Sequence, residues 1–213
     1  DGGILSLMDG TSLVALPDNK KSAEQAALFL HMHPDVTTVR TDGQTAATIA
    51  KAWGTGRLTT GVVMTPGSQD ALLKHPDNTE QSVYAPPLRQ VYQLLATVFG
   101  EALPTFEVWY TDVHHRLRHR CCRIKAVEQG GQPVSAAMTV AECSTAAVIG
   151  AVATSPQHRG KGYAAICVTA LAGELLREGK RVLLSPKNDY ARQLYESWGF
   201  TVCESWGTVT RLP

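Results

Sequence analysis

The apolar positions in the first part of the chain follow two alternating periods, one typical of strands and one typical of helices. Short runs rich in β-branched and other apolar residues predict strands at residues 11–16, 36–40 and 58–64. Apolar residues at helical spacing predict a helix that begins at a Ser22 cap and a second helix over residues 43–53. This part of the chain is therefore predicted to alternate β-α-β-α-β.

A polar, turn-rich stretch separates this region from an amphipathic helix. Residues 65–85 are dominated by polar and turn residues and predict a loop, whereas residues 87–100 place apolar side chains at helical spacing. The segment of residues 100–104 begins with Gly and ends with Pro, and we place a domain boundary there. The predicted division is an N-terminal α/β half over residues 1–104 and a second domain over residues 105–213.

The second half has the pattern of a mixed sheet covered by helices. Predicted strands lie at residues 122–128, 134–141, 146–154, 181–185 and 201–209. Predicted helices lie at residues 106–120, after residue 163, and at residues 189–198. The sequence Gln129-Gly-Gly-Gln132 is a hairpin signal between the first two of these strands. The pattern predicts a mixed α/β (α+β) fold.

Composition and charge narrow the class of protein. The chain has 213 residues, of which 44% are hydrophobic, and a formal net charge of +1. So small a charge gives no field to attract nucleic acid or an anionic membrane, and neither is expected as a partner. No apolar run is long enough to span a bilayer, and five cysteines do not suggest a disulfide framework. We expect a cytoplasmic protein, either a monomer or a homodimer.

The segment Arg159-Gly-Lys-Gly-Tyr-Ala164 carries the clearest chemical signal. It follows the strand at residues 146–154 and a turn containing Pro156, and it precedes a long helical pattern. Glycines at the start of a helix allow unpaired backbone N–H groups to face an anion at the positive end of the helix dipole. The segment therefore predicts a phosphate-binding loop.

Two other phosphate motifs fit this segment less well. A P-loop requires Ser or Thr after its Gly-Lys pair, and here Gly162 follows Gly160-Lys161. A dinucleotide fingerprint is matched in form by Gly160-Lys-Gly-Tyr-Ala-Ala165. However, a turn with Pro156 stands between strand and loop, and no acidic residue closes the next strand. The dinucleotide alternative stays open but disfavoured.

Two motifs together resemble one family. Arg159-x-x-Gly162-x-Ala164 resembles the signature of the GNAT-superfamily N-acyltransferases, with Pro156 at the usual upstream place. Asn188-x-x-Ala191-x-x-Leu194-Tyr195, followed by Gly199-Phe200, is similar to the second conserved segment of that family. Residues 154–162 look most like the glycine N-acyltransferase-like branch. In that branch the N-terminal half is often a degenerate copy of the same fold.

The resemblance implies a GNAT-type central sheet in the C-terminal half and a site for coenzyme A. Main-chain groups of the strand end would pair with the pantetheine arm, and the loop would hold the pyrophosphate. Arg159 and Lys161 would add positive charge near the phosphates, and Asn188 would both cap its helix and bind a pantetheine amide. The implied binding residues are Val152, Ala153, Thr154, Arg159, Gly160, Lys161, Gly162, Tyr163, Ala164 and Asn188.

The resemblance also implies catalytic residues. In the family the Tyr at the position of Tyr195 points at the coenzyme A sulfur, so Tyr195 is the predicted general acid; the alternative is a core tyrosine on an amphipathic helix. Glu142, at the end of a strand where a family base is often found, is the predicted base; the alternative is a solvated acid. Acidic residues and His114-His115 in residues 106–120 would border the acceptor, and no metal site is expected.

These motifs predict an acyl-CoA-dependent N-acyltransferase. The default donor is acetyl-CoA, the predicted acceptor is a small amine or an amino-acid-like molecule, and no metal is required. The alternative, from a different functional class, is a non-catalytic coenzyme A-binding sensor or scaffold. The loop at Arg159 indicates the donor in either case, and it carries no information about the acceptor.

Overall fold

The computed structural model describes residues 3–16, 20–54, 56–68, 72 and 83–212, apart from the side chains of Met8, Lys20 and Val83. The strands are β1 (Ile4–Met8), β2 (Thr11–Ala15), β3 (Thr38–Asp42), β4 (Gly56–Pro66), β5 (Val83–Tyr84), β6 (Ile124–Gln129), β7 (Gln132–Glu142), β8 (Ala146–Thr154), β9 (Arg181–Leu184) and β10 (Phe200–Arg211). The helices are α1 (Lys20–His31), α2 (Gly43–Trp53), α3 (Leu88–Phe99), α4 (Phe106–Arg118), α5 (Tyr163–Arg177) and α6 (Asp189–Ser197).

The chain forms two compact units. The first comprises Asp1–Val63 together with Val202–Pro213, and the second comprises Met64–Thr201. The helix α3, which the sequence interpretation placed in the N-terminal half, packs in the core of the second unit. The division at residue 104 stays a prediction about domain organisation.

In the first unit, the last strand of the chain, β10, lies between two strands from the N-terminal part, β3 and β4. The strand order of this unit is β1-β2-β3-β10-β4; β2 runs parallel to β3, and β10 runs antiparallel to β3. Helix α2 begins where the Asp42 carboxylate accepts a hydrogen bond from the Thr45 N–H at 2.9 Å. The buried core consists of Val14, Ala27, Leu30, Val36, Val39, Ala46, Ile49, Trp53 and Val209.

The second unit contains the mixed sheet that carries the predicted motifs. Its strand order is β9-β8-β7-β6-β5, with β8 and β9 parallel and the other neighbours antiparallel. Helices α3 and α4 pack on β6, β7 and β8 through Val91, Leu94, Leu95, Trp109, Val113, Ile124, Ala126, Ala136, Met138 and Ala153. Helix α5 buries Ala165, Cys167, Val168, Leu171, Ala172 and Leu175.

The predicted mixed α/β fold is confirmed, and most elements lie close to where the pattern placed them. The strand over residues 146–154 and the helix over residues 43–53 are found with the predicted bounds. The predicted Ser22 cap is wrong, because α1 already begins at Lys20. Most of the predicted 65–85 loop lies outside the described residues. Within the described part of the chain, no helix is both long and apolar enough to cross a membrane.

Candidate active site

The neighbouring parallel strands β8 and β9 end at different points, so that β8 extends beyond its last residue paired with β9, and we call the region beside this extension the opening. They pair from Ala146 opposite Arg181 to Ile149 opposite Leu184, where β9 ends. Strand β8 continues for five more residues to Thr154. Along this extension, β8 presents to the β9 side an edge that could accept an extended ligand as an added strand.

The backbone of Thr154 faces this opening. The next residue, Ser155, donates its N–H to the Val134 carbonyl at 2.9 Å and so faces β7. Because N–H and C=O directions alternate along a strand, Thr154 directs its own groups to the β9 side. Ala153 lies opposite Ala136 of β7, and its side chain is 1% exposed. Of these two predicted residues, Thr154 offers main-chain groups to a ligand and Ala153 packs in the core.

A bulge distorts β8 at the start of the opening. The register with β7 shifts between Ala136 and Met138, and Ala151 adopts a φ of 47°. A left-handed conformation is uncommon for a residue other than glycine and costs about 1–2 kcal/mol. Val152, a predicted binding residue, is the next residue and is half-buried. The bulge could not be predicted from the sequence, because alanine does not mark a left-handed position.

The α5 loop, residues 155–162, has the backbone geometry of an anion-binding site. Gly160 and Gly162 have φ values of 75° and 76°, and Gly162 is the N-cap residue of α5. A Cβ at either glycine would meet open space, so glycine is required there for its backbone conformation. No side chain caps α5, which leaves the N–H groups of its first turn, at Tyr163 and Ala164, facing outward.

Two cations flank this loop. Arg159 and Lys161 are both exposed, and Arg159 donates from Nε to the Thr154 carbonyl at 3.4 Å. This contact holds the guanidinium between the strand end and the start of α5. The predicted loop residues therefore lie together at one edge of the sheet, next to the opening at Thr154.

Helix α6 starts at the same edge of the sheet. Because β8 and β9 are parallel, their carboxyl ends lie at one edge, and α6 begins five residues after β9 ends. The Asn188 side chain accepts a hydrogen bond from the Ala191 N–H at 2.9 Å, which confirms the predicted helix cap. The cap uses Oδ1 of the amide, so Nδ2 is the group with which Asn188 can donate to a ligand.

Tyr195 lies on α6 among aromatic rings. Its ring makes edge contacts with Trp198 at 5.2 Å and with Phe200 at 6.1 Å between ring centroids. Burial raises the pKa of the Tyr195 phenol above its usual value. The phenol therefore stays protonated through the neutral range, as a proton donor must.

Glu142 lies at the opposite edge of the sheet. It pairs with Ala147 near the start of β8, seven residues before Thr154, which corresponds to about 23 Å at the usual rise of a strand. The Glu142 carboxylate is 1% exposed and contacts Arg123 Nη2 and Lys180 Nζ, each at 2.7 Å. The structure thus does not bring Glu142 to the edge that carries Asn188 and the α5 loop.

Glu142 belongs to an ion cluster that joins β6, β7, α5 and the start of β9. Burial acts to raise the pKa of Glu142, but hydrogen bonds from Lys180, Arg123 and Thr139 outweigh it and lower the pKa. Arg123 also pairs with Glu174 and Glu178 of the α5 end. A carboxylate stabilised in this way is a weak base, and it is not the solvated acid of the alternative interpretation.

The remaining candidates lie on α4. Asp112 pairs with Arg116 at 2.9 Å, and His114 stacks on Tyr110 with ring centroids 5.3 Å apart. Among the residues that the structure describes, no group of three or more His, Cys, Asp or Glu side chains is placed to hold a metal ion. All five cysteines are free thiols.

The residues at the carboxyl edge fit a coenzyme A-type ligand. An uncapped helix start with two left-handed glycines suits a pyrophosphate, and the open edge of β8 suits the extended, amide-containing pantetheine arm.

Comparison with known proteins agrees with this geometry. The family model described as the acetyltransferase (GNAT) family matches residues 88–200, which is more than half of the chain. No curated protein matches the chain at a significant level.

Solved structures share the fold at low sequence identity. An acetyltransferase of the GNAT family from Colwellia psychrerythraea has a TM-score of 0.68 and 14% identity over 99% of this chain and 81% of that one. A tandem GNAT protein from the clavulanic acid biosynthesis pathway has a TM-score of 0.57 and 18% identity over 97% of this chain and 77% of that one.

A GNAT-family protein from Novosphingobium aromaticivorans has a TM-score of 0.56 and 18% identity over 74% of this chain. The alignment spans 66% of the length of that structure. The GNAT family in general transfers acyl groups from acetyl-CoA, and the family match covers α3 through α6 with both motifs. The chain therefore belongs to the acetyltransferase (GNAT) family.

Proposed function

We propose that this protein is an acyl-CoA-dependent N-acyltransferase that uses acetyl-CoA by default and acylates the amine of a small or amino-acid-like molecule. The observation that carries the proposal is the uncapped start of α5, with left-handed Gly160 and Gly162, beside the open edge of β8. Family membership supports acyl transfer in general, and the donor and acceptor are our proposal.

The binding roles follow from which backbone groups are available. The N–H groups from Gly160 to Ala164 would hold the pyrophosphate, with Arg159 and Lys161 adding charge. The main chain of Thr154 would pair with the pantetheine arm, and Asn188 would donate to it from Nδ2. The bound donor supplies an activated thioester whose carbonyl carbon the amine attacks.

The chemical step needs an uncharged amine and a proton for the departing thiolate. An alkylamine has a pKa near 10.4, so it must lose a proton before it attacks. In our proposal the Tyr195 phenol, kept protonated by its raised pKa, donates its proton to the leaving sulfur. Because Glu142 lies at the other edge and is held by two cations, we assign removal of the amine proton to a water relay instead of to Glu142.

The test is thiol release from acetyl-CoA in the presence of amines, amino acids and polyamines. We expect at least one acceptor to stimulate release, and Tyr195→Phe to lower turnover by about 100-fold or more while coenzyme A affinity stays within about twofold. Equal turnover of the variant and the wild type would remove Tyr195 from the mechanism.

The alternative is a non-catalytic coenzyme A-binding protein. The observation in its favour is the position of Glu142, because the predicted base lies away from the proposed site. Thermal stabilisation by coenzyme A without release by any acceptor would select this alternative.

Three finer assignments belong to the same proposal. The glycine N-acyltransferase-like branch is supported by the loop sequence at residues 154–162. An origin of the N-terminal half as a degenerate GNAT copy is supported by the likeness to a tandem GNAT protein. A cytoplasmic location is supported by five free thiols.

A further inference from the structure

Two hydroxyl groups at the carboxyl end of β8 form a short hydrogen-bonded chain. Ser135 of β7 is fully buried, and Thr154, directly opposite on β8, is half-buried at the proposed site. The Ser135 Oγ lies 3.2 Å from the Ala153 carbonyl oxygen and 2.9 Å from Thr154 Oγ1. The 2.9 Å contact has the usual length of an O–H···O hydrogen bond, and the 3.2 Å contact is slightly longer.

The number of protons limits the directions that this hydrogen-bonded chain can take. A carbonyl oxygen can only accept, so the contact with Ala153 is a hydrogen bond only when Ser135 donates its single hydroxyl proton to it. Both contacts are hydrogen bonds at the same time only if Thr154 donates its own proton to Ser135. The Thr154 hydroxyl then has only lone pairs to offer to a ligand.

We propose that Thr154 Oγ1, oriented by Ser135, is an acceptor-only contact that selects an N–H or O–H donor of the pantetheine arm and disfavours a phosphate oxygen at that point. This inference rests on the proposed function and adds a specificity-determining side chain, Thr154, and a positioning residue, Ser135. The sequence had indicated only a main-chain role for Thr154.

The neighbouring groups have the opposite polarity. At the start of α5, the N–H groups of Tyr163 and Ala164 are donors and suit an anion. At Thr154 the hydroxyl is an acceptor, which repels an anion and binds an amide N–H or a hydroxyl. This change separates the start of α5, which suits the pyrophosphate, from Thr154 Oγ1, which suits an N–H or O–H donor of the arm.

The experiment compares two probes by titration calorimetry. Coenzyme A carries both the pantetheine arm and the pyrophosphate, whereas 3′-phosphoadenosine 5′-diphosphate keeps the pyrophosphate and lacks the arm. Thr154→Val removes the hydroxyl and keeps the branched shape. We expect it to weaken coenzyme A binding by about five- to tenfold, the effect of one hydrogen bond, and to change binding of the second probe less than about twofold.

Three further variants separate the hydroxyl chain from a general effect on packing. Thr154→Ser keeps the hydroxyl and should restore coenzyme A affinity. Ser135→Ala removes the acceptor of the Thr154 proton, so that Thr154 can donate it to a ligand. The ratio of the coenzyme A affinity to the affinity for the probe that lacks the arm should therefore fall. Thr48→Val, which removes a hydroxyl bonded within α2, should leave both affinities unchanged.

The inference is overturned if Thr154→Val weakens the binding of both probes equally, or if it weakens the binding of neither. It is also overturned if Ser135→Ala leaves the ratio of the two affinities unchanged. Those results, with coenzyme A still bound by the wild type, would leave the proposed function intact. If the wild type binds neither probe, the proposed function fails and the inference fails with it.

Discussion

At the scale of single residues, Glu142 shows how burial and charge decide what a carboxylate can do. Its side chain is 1% exposed, yet its pKa is lowered, because contacts with Lys180 and Arg123 outweigh the cost of burial. Replacing one member of a buried ion pair leaves the other charges buried without a partner. This costs more free energy than is saved by no longer burying the replaced charge. We therefore propose that the role of Glu142 is to stabilise the fold.

Glu142→Gln should lower the free energy of unfolding at pH 7 by about 3 kcal/mol, with thiol release per folded molecule unchanged. Urea denaturation and the release assay measure the two effects separately. The control is Glu196→Gln, which breaks an exposed pair with Arg192 and should cost less than about 0.5 kcal/mol. Loss of turnover in Glu142→Gln without loss of stability would restore Glu142 as the base.

The same cluster predicts a dependence of stability on pH. The pKa of Glu142 is lowered in the folded state, and contact with Arg123 lowers that of Glu178 to about 2. A carboxyl group whose pKa is lower in the folded state stabilises the protein above its unfolded pKa and loses that contribution as pH falls. We expect the urea midpoint of the wild type to fall between about pH 5 and pH 2, and to fall less in Glu142→Gln. Equal pH profiles would contradict this role of the cluster.

At the scale of elements, the start and the end of α5 offer a matched pair of glycines. Gly162 precedes the helix with a φ of 76°, Gly179 follows it with a φ of 75°, and a Cβ at either would meet open space. Replacement by alanine therefore imposes the same backbone strain at both ends, about 1–2 kcal/mol. The two sites differ in that Gly162 lies at the proposed pyrophosphate site.

Gly162→Ala and Gly179→Ala should therefore lose similar stability in urea denaturation, whereas coenzyme A binding should weaken by about tenfold only in Gly162→Ala. Calorimetric titration of both variants measures the difference. Equal weakening of coenzyme A binding in the two variants would show that helix stability, and not the geometry of the α5 loop, governs affinity.

Local signals explain which elements could be predicted from the sequence. Helix α2 and strand β8 were found with the predicted bounds, because Gly54 and the turn at Pro156 end them clearly. Strand β1 was missed, although Asp9-Gly10, both at positive φ, is a hairpin signal that could have found it. The ion cluster around Glu142 could not be predicted, since it joins residues from Arg123 to Lys180 that meet only in the folded sheet.

At the scale of the whole molecule, the last strand completes the first compact unit. Val209 of β10 pairs with Val39 of β3, 170 positions earlier, and both are fully buried. No local pattern predicts pairing at that separation, and the sequence interpretation assigned this strand to the second half. The two motifs at Arg159 and Asn188 were nevertheless sufficient to predict the family.

Val209→Ala should destabilise the first unit by about 2 kcal/mol, because it removes buried methyl groups beside Val39 and Val14. Hydrogen exchange should show faster exchange of α1 and α2 amides. Val202→Ala, on the same strand but 42% exposed, is the control and should change the stability by less than about 0.5 kcal/mol. Unchanged exchange in α1 and α2 would contradict the assignment of β10 to this core.

We propose that the edge formed by Thr154, the α5 loop and Asn188 binds coenzyme A. The most direct test of this proposal is calorimetric titration of the wild-type protein with coenzyme A, accompanied by hydrogen exchange. We expect saturable binding with one site per chain and slower exchange at the first turn of α5 and at the end of β8. Absence of binding, or binding with protection confined to other elements, would contradict the proposal.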